Sequence, residues 1–274
     1  MVKIGEGMVS EAYLEDGRVY LIGKRPDAFK IYTELKRNLD FFQGKIGLLK
    51  IPSNAQLIDP CERYPLGAIS FDYVKGTTLD KKIGTCTEAQ KAEIGKRLAE
   101  FITEMTGLTP RDTDSKQREI ETNRTKFANA INLIAPHLTQ AENEKLKSIE
   151  IDYSNFLEQS EFCMTHGDLH FENLVVDDEN KLVGIIDFGN VEYYVREIEF
   201  MWMQGYDDNR YKGDKTIFDN MIASYPMTLN ANKIKLTRLV GAIRFFRTIV
   251  NIYTHLLDES IPVIRGLIER YEVE

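Results

Sequence analysis

A chain of 274 residues with 43% hydrophobic content can bury a sizeable core, and its length suits one or two domains. No stretch approaches the roughly 20 apolar residues of a membrane span, and the start, Met-Val-Lys-Ile-Gly-Glu-Gly, lacks the apolar core of a signal peptide, so no membrane partner is expected. The formal net charge of −8 argues against a nucleic-acid binder, and three widely separated cysteines (Cys61, Cys86, Cys163) point to reduced thiols in a cytoplasmic protein.

Val2 to Lys24 reads as a strand, a glycine-containing loop and a hairpin. Gly5-Glu6-Gly7-Met8-Val9-Ser10 leads into Ala12-Tyr13-Leu14; Glu15-Asp16-Gly17-Arg18 is a turn and Val19 to Ile22 a second strand. Two glycines let a backbone approach phosphates and offer its N–H groups, although the same pattern makes a tight β-turn with no ligand. Lys24 ends the second strand. Ten residues later Glu34 lies where Ile31, Leu35, Leu39 and Phe42 recur at helical spacing. A strand lysine paired with a helix glutamate is how kinases bring a lysine to nucleotide phosphates. Arg25, the neighbouring cation, would point to the opposite face of the strand.

Ile51 to Leu57 and Gly67 to Val74 are further strand-like material, and the run Ala68 to Lys75 breaks at Gly76. Composition changes here: turn-rich and strand-like before Gly76, mostly helical after Thr87, with a boundary near residue 75. Thr87 to Gln90 and Thr139 to Glu142 are capping boxes opening helices, and Phe127, Ile131, Ile134 and Leu138 share the face of another that ends near Pro136. Residues 109–118 read as a surface loop, 197–203 as a short helix, 231–258 as one long amphipathic helix, and Pro262 to Tyr271 as a last helix.

The densest chemistry lies in residues 162–190. Phe162 to Met164 enters as a buried strand, followed by a loop with His166, Asp168, His170, Glu172 and Asn173. Leu174 to Val176 and Lys181 to Ile186 read as two strands joined by Asp177-Asp178-Glu179-Asn180. Antiparallel pairing returns Asn173 and Asp187 to one open end, beside Asp168. Such an oxygen-rich set suits a hard cation such as Mg²⁺, which takes few protein ligands and keeps water and substrate phosphates.

Taken in order, Gly5, Gly7, Lys24, Glu34, the break before Gly76, His166-Gly-Asp-Leu-His-Phe-Glu-Asn173 and Ile185-Ile-Asp-Phe-Gly189 resemble the aminoglycoside phosphotransferase and choline-kinase-like family, relatives of the protein kinases. The resemblance covers essentially the whole chain. It implies an α+β, bilobal protein-kinase-like fold: a small antiparallel β N-lobe (1–75, hinge near 71–76) and a larger, mainly helical C-lobe (76–274). It implies a phosphotransferase using ATP or GTP, with Mg²⁺ held by Asn173 and Asp187 and Asp168 as base or orienting carboxylate for a hydroxyl. His166 would brace the loop. Gly5, Gly7, Ser10, Lys24 and Glu34 would serve the phosphates, and the Asp72 carbonyl and Val74 N–H the base, with Phe71 behind it.

The chain departs from the family pattern at three points. The supporting Asp twelve residues past Asp187 is Glu199, with Glu197 an alternative; the Lys24–Glu34 interval is shortened; and an acid that some antibiotic kinases carry in the catalytic loop is Phe171. The acceptor expected first is an aminoglycoside, met by Glu192, Asp207, Asp208 and Asp214, which would otherwise be solvated loop carboxylates. Choline, a sugar, homoserine or fructosamine are alternatives, as is a nucleotide-binding pseudoenzyme. The absence of an Ala-Pro-Glu motif argues against a protein kinase.

Overall fold

The computed structural model describes residues 1–111, 114–205 and 213–272. Three strands open the chain: β1 (Val2–Glu6), β2 (Ser10–Glu15) and β3 (Arg18–Gly23). Asp16 and Gly17 turn between the last two with φ of 50° and 75°, as the primed turns that match strand twist require. Helix α1 (Ala28–Phe42) follows and packs on the sheet through Ala28, Tyr32, Leu35, Leu39 and Phe42. With β4 (Gln56–Ile58) and β5 (Ala68–Asp72) the sheet has five antiparallel strands in the order β1-β2-β3-β5-β4.

Residues 73–76 then cross to β6 (Thr77–Thr78), and the larger lobe begins with α2 (Glu88–Thr106). The expected box at Thr87 and Gln90 caps this helix, a device worth about 1 kcal/mol. Next come α3 (Lys116–Ile134), α4 (Gln140–Gln159, opened by the Thr139–Glu142 box) and the buried strand β7 (Phe162–Thr165). The hairpin of β8 (Leu174–Val176) and β9 (Leu182–Ile185) joins β6 in a second sheet, ordered β6-β8-β9. The chain continues through β10 (Glu192–Val195), which pairs with β7, then α5 (Met201–Gln204), α6 (Lys215–Ser224), α7 (Ala231–Asn251) and α8 (Leu257–Arg270). The molecule is bilobal and kinase-like, and one apolar core runs through both lobes, from Ile69 and Phe42 to Leu98, Ile185 and Phe188. Among the described residues no helix is long and apolar enough to cross a membrane.

Three elements differ from the sequence expectation. The helix expected over 231–258 ends at Asn251, because its buried face stops at Ile249; Ile252 is 46% exposed and Tyr253 has left the helix. Strand β10 is only four residues long and gains its burial from β7, which a local pattern does not reveal. Helix α6 was not anticipated; it packs closely on α2, where a Cβ at Gly95 would meet its backbone.

Candidate active site

Strand β7 is buried along its whole length and delivers His166 into the interior, where the imidazole is fully buried. The ring bonds to the backbone at both nitrogens: Nε2 donates to the Ile186 carbonyl (3.1 Å) and Nδ1 accepts from the Asp168 N–H (3.3 Å). Burial pushes its pKa down to about 3, so it is a neutral brace between the loop after β7 and the segment that follows β9. Glu199, fully buried, settles which glutamate supports the loop: it accepts from the backbone N–H groups of His166 (2.5 Å) and Gly167 (3.2 Å). Burial lifts its carboxyl to about 7, against the pull of those two donors.

These shifts have opposite signs in stability. The Glu199 value is raised on folding, so its contribution is complete below about pH 4.5 and is lost as pH rises toward 7. The His166 value is depressed, so its contribution is complete above about pH 6.5 and is lost as pH falls toward 3. In the wild type the two oppose each other between pH 4.5 and 6.5. Glu199→Gln removes the first, so the variant's stability is expected to climb through this window more steeply than wild type, by an amount on the order of 3 kcal/mol. Guanidinium denaturation at a series of pH values measures this; parallel profiles would show that Glu199 is already ionised at pH 5.

Asp168 follows at the loop's mouth. One carboxylate oxygen accepts from Asn190 Nδ2 (2.9 Å); the other lies 3.6 Å from His170 Nε2, whose ring packs on Trp202. Burial and the nearby Asp187 charge raise its pKa, opposed by His170 and the Asn190 bond. Asn173 is 5% exposed and its Nδ2 donates to the Asp168 carbonyl (2.8 Å), leaving Oδ1 as the atom available to a ligand. The hairpin closes as expected: Leu174 faces Ile185, and the Ile186 N–H donates to the Asn173 carbonyl (2.9 Å), bringing Asn173 and Asp187 to one end. Asp187 is exposed and left-handed (φ 63°), and its carboxylate accepts only from the Gly189 N–H (3.3 Å) among the described residues. Among the described residues no group of three or more His, Cys, Asp or Glu is arranged to hold a metal ion by itself. The fit is to a cation content with one amide and one carboxylate oxygen, as Mg²⁺ on phosphates is.

The small lobe departs from expectation. Lys24 and Glu34 are not paired: Lys24 bonds Glu6 and lies 3.4 Å from the Gly7 carbonyl, while Glu34 faces solvent and pairs with Arg37 (2.5 Å). The reason is register, since α1 turns Leu35 and Asn38 inward and leaves Glu34 outside. Gly5 lies within β1, and the Gly7 N–H is taken by the Ser10 carbonyl (2.8 Å). Ser10 Oγ accepts from Tyr32 (2.7 Å), which makes it an anchor for α1. At the hinge, Phe71 is buried, and Asp72 is tied by its side chain to Arg18 (2.9 Å) and Ser53 (3.1 Å). Val74 is 7% exposed, and among the described residues its N–H has no acceptor. A cavity of about 1030 Å³ adjoins the hinge, lined by Gly47, Lys50, Tyr73 and Arg97, but none of Asp168, Asn173 and Asp187 lines it.

Of the carboxylates expected to meet an acceptor, Glu192 is answered by Lys126 (3.4 Å) and Arg244 (3.9 Å), so its charge is not free. Asp214 caps α6 through the Ile217 N–H (3.1 Å) and pairs with Lys91 (3.0 Å). Asp207 and Asp208 lie outside the described residues. The sequence reading missed Asn190 and Asn38. Nothing local marks Asn190, but Asn38 is a polar residue within the apolar stripe of α1, which is a legible signal.

The fold is that of the protein-kinase-like phosphotransferases. The chain belongs to the phosphotransferase enzyme family, whose model matches residues 28–225. Among solved structures it is similar to the gentamicin complex of APH(2")-IIa, at 15% identity and a TM-score of 0.71, covering 99% of this chain and 91% of that one. The GDP and kanamycin complex of APH(2")-IIIa gives 15% identity and a TM-score of 0.75, covering 99% and 93%. The macrolide 2'-phosphotransferase MphH from Brachybacterium faecium gives 11% and 0.65, covering 100% and 93%.

Proposed function

We propose that this phosphotransferase moves the γ-phosphoryl group of ATP or GTP, with Mg²⁺, to a hydroxyl of a small molecule, in a cytoplasmic setting consistent with its three free cysteines. The observation that carries the reading is the convergence of Asp168, Asn173 Oδ1 and Asp187 at one end of the hairpin, held by His166 and Glu199. At the far end of the cleft, the Val74 N–H, which has no acceptor among the described residues, and the Asp72 carbonyl would receive the base, in front of Phe71. Mg²⁺, when bound, supplies charge neutralisation on the phosphates; Asn173 and Asp187 would hold it.

The protein's own work is positioning. Asn190 fixes one oxygen of Asp168, so that the other accepts the proton of the incoming hydroxyl as its oxygen bonds to phosphorus and the nucleoside diphosphate leaves. Lys24 exchanges Glu6 for phosphate oxygens. His166, neutral and bonded on both sides, positions the loop and transfers no proton.

For the acceptor, an aminoglycoside-type antibiotic stands first, because the neighbours of this fold include gentamicin and kanamycin complexes. A second reading, a kinase of another hydroxyl metabolite, is favoured by two observations. Phe171 is buried where some antibiotic kinases carry an acid, and Glu192 is neutralised by Lys126 and Arg244. A coupled nucleotide-consumption screen with ATP and GTP, against aminoglycosides and against small hydroxyl metabolites, separates them. Turnover confined to metabolites would discard the antibiotic reading, and consumption with no acceptor in either panel would discard both.

A further inference from the structure

The apolar stripe of α1 is interrupted by Asn38, which is 3% exposed among Leu35, Leu39 and Phe42. A buried amide has to find partners, and this one has them on two sides. Its Nδ2 donates to the Phe188 carbonyl (2.8 Å), and its Oδ1 accepts from Arg111 Nη1 (3.0 Å). Arg111 lies between α2 and α3 in the larger lobe and is held in turn. Its Nε and its backbone N–H both donate to Asp114 Oδ2 (3.2 and 2.9 Å), and its guanidinium lies 5.9 Å from the centre of the Phe41 ring.

Phe188 directly follows Asp187, and its ring is packed between Phe42 (5.4 Å) and His166 (4.8 Å). Asp187 has little of its own to orient it. The backbone on either side does that: Ile186 is held through its N–H by Asn173 and through its carbonyl by His166, and Phe188 through its carbonyl by Asn38. The first clamp belongs to the larger lobe, the second to the small-lobe helix. Leucine at position 38 would fill nearly the same volume. What the amide adds is a directed bond that sets the plane of the Phe188–Gly189 peptide.

We propose that Asn38 is a positioning residue that aims the Asp187 carboxylate at the metal–phosphate site by holding the Phe188 carbonyl, with Arg111 fixing Asn38 from the opposite lobe. The proposal rests on the nucleotide and Mg²⁺ reading above. A purely structural Asn38 would affect melting without changing how much Mg²⁺ strengthens nucleotide binding. A positioning Asn38 changes that ratio.

The test is calorimetric titration of the full chain with ADP, with and without MgCl₂, alongside melting curves. For Asn38→Leu, and for Asn38→Asp, which keeps the acceptor for Arg111 but cannot donate to Phe188, the Mg²⁺-dependent gain in ADP affinity is expected to fall about fivefold, the scale of one lost buried hydrogen bond. Mg²⁺-free affinity stays at the wild-type value. Arg111→Met gives a smaller loss, and the double variant Asn38→Leu/Arg111→Met loses no more than Asn38→Leu alone, as two links in series require. A folded Asn38 variant with the wild-type gain overturns the proposal. Should neither Asn38 variant fold, an unchanged gain in Arg111→Met overturns it as well. A wild-type protein whose ADP affinity does not respond to Mg²⁺ removes the nucleotide and metal reading and this proposal with it, an outcome distinct from a failure in the variants alone.

Discussion

Asp168→Ala is expected to lower kcat by roughly 10²- to 10⁴-fold, the span usually lost with a positioned acid or base, while nucleotide affinity stays near wild type. The split follows from where the side chain is. Its carboxylate faces Asn190 and His170 at the mouth of the loop, whereas the groups proposed to meet the metal and nucleotide are Asn173 Oδ1 and Asp187. Stability should change little, because burial and the neighbouring Asp187 charge already disfavour the ionised form of Asp168. Asp168→Asn is the shape-preserving control: its amide keeps an oxygen for Asn190 but accepts no proton from an acceptor hydroxyl. Steady-state kinetics with an acceptor found in the screen, and ADP titration of the same variants, test both halves. Turnover within tenfold of wild type would move the role of base to another group.

Asp187 should behave in the opposite way, with the loss falling on the Mg²⁺-nucleotide complex. Even outer partners of metal sites cost about 10- to 100-fold in metal affinity, so removal of one of the two proposed protein ligands should exceed that. Alanine is a poor probe here, because the left-handed φ of 63° costs an alanine about 1–2 kcal/mol of its own. Asp187→Asn is cleaner. Asparagine tolerates that backbone and keeps an acceptor for the Gly189 N–H, so the change is confined to charge. Activity titrated against MgCl₂ should shift to much higher concentrations, with Mg²⁺-free ADP binding retained. An unchanged Mg²⁺ midpoint would show that Asp187 is not a metal ligand.

The large-lobe half of the site was legible in the chain because its geometry is local. A hairpin of known turn length returns Asn173 and Asp187 to one end, and the loop from His166 to Asn173 is too short to place Asp168 far away. Glu199 was legible as one of two glutamates; burial and the two backbone donors chose between them. The small-lobe half was harder to read, because it depends on side-chain partners set by helix rotation. Spacing places Lys24 and Glu34 in plausible elements, but the rotation of α1 turns Glu34 outward, and Glu6, unremarkable in sequence, becomes the partner of Lys24. In the same way Ser10 is held by Tyr32, 22 residues away in sequence, and Asn38 by Arg111, 73 away. The surroundings of Glu192 are least local of all, being assembled from β10, α3 and α7, which no short motif joins.

The hairpin carrying Asp187 has one more neighbour. Lys50, in the segment between α1 and β4, lies parallel to β9: its N–H donates to the Val183 carbonyl (3.0 Å), and its carbonyl accepts from the Ile185 N–H (2.9 Å). A Cβ at Gly184 would lie 2.9 Å from that carbonyl and would also strike Val74, which is why the approach needs glycine. With β6 on the β8 side, both margins of the hairpin are therefore covered. A bare β9 margin would offer unpaired backbone donors and acceptors to any passing strand. One residue of the small lobe thus acts as a cover against chain-to-chain pairing, and whatever lifts that lobe away bares an adhesive edge next to Asp187.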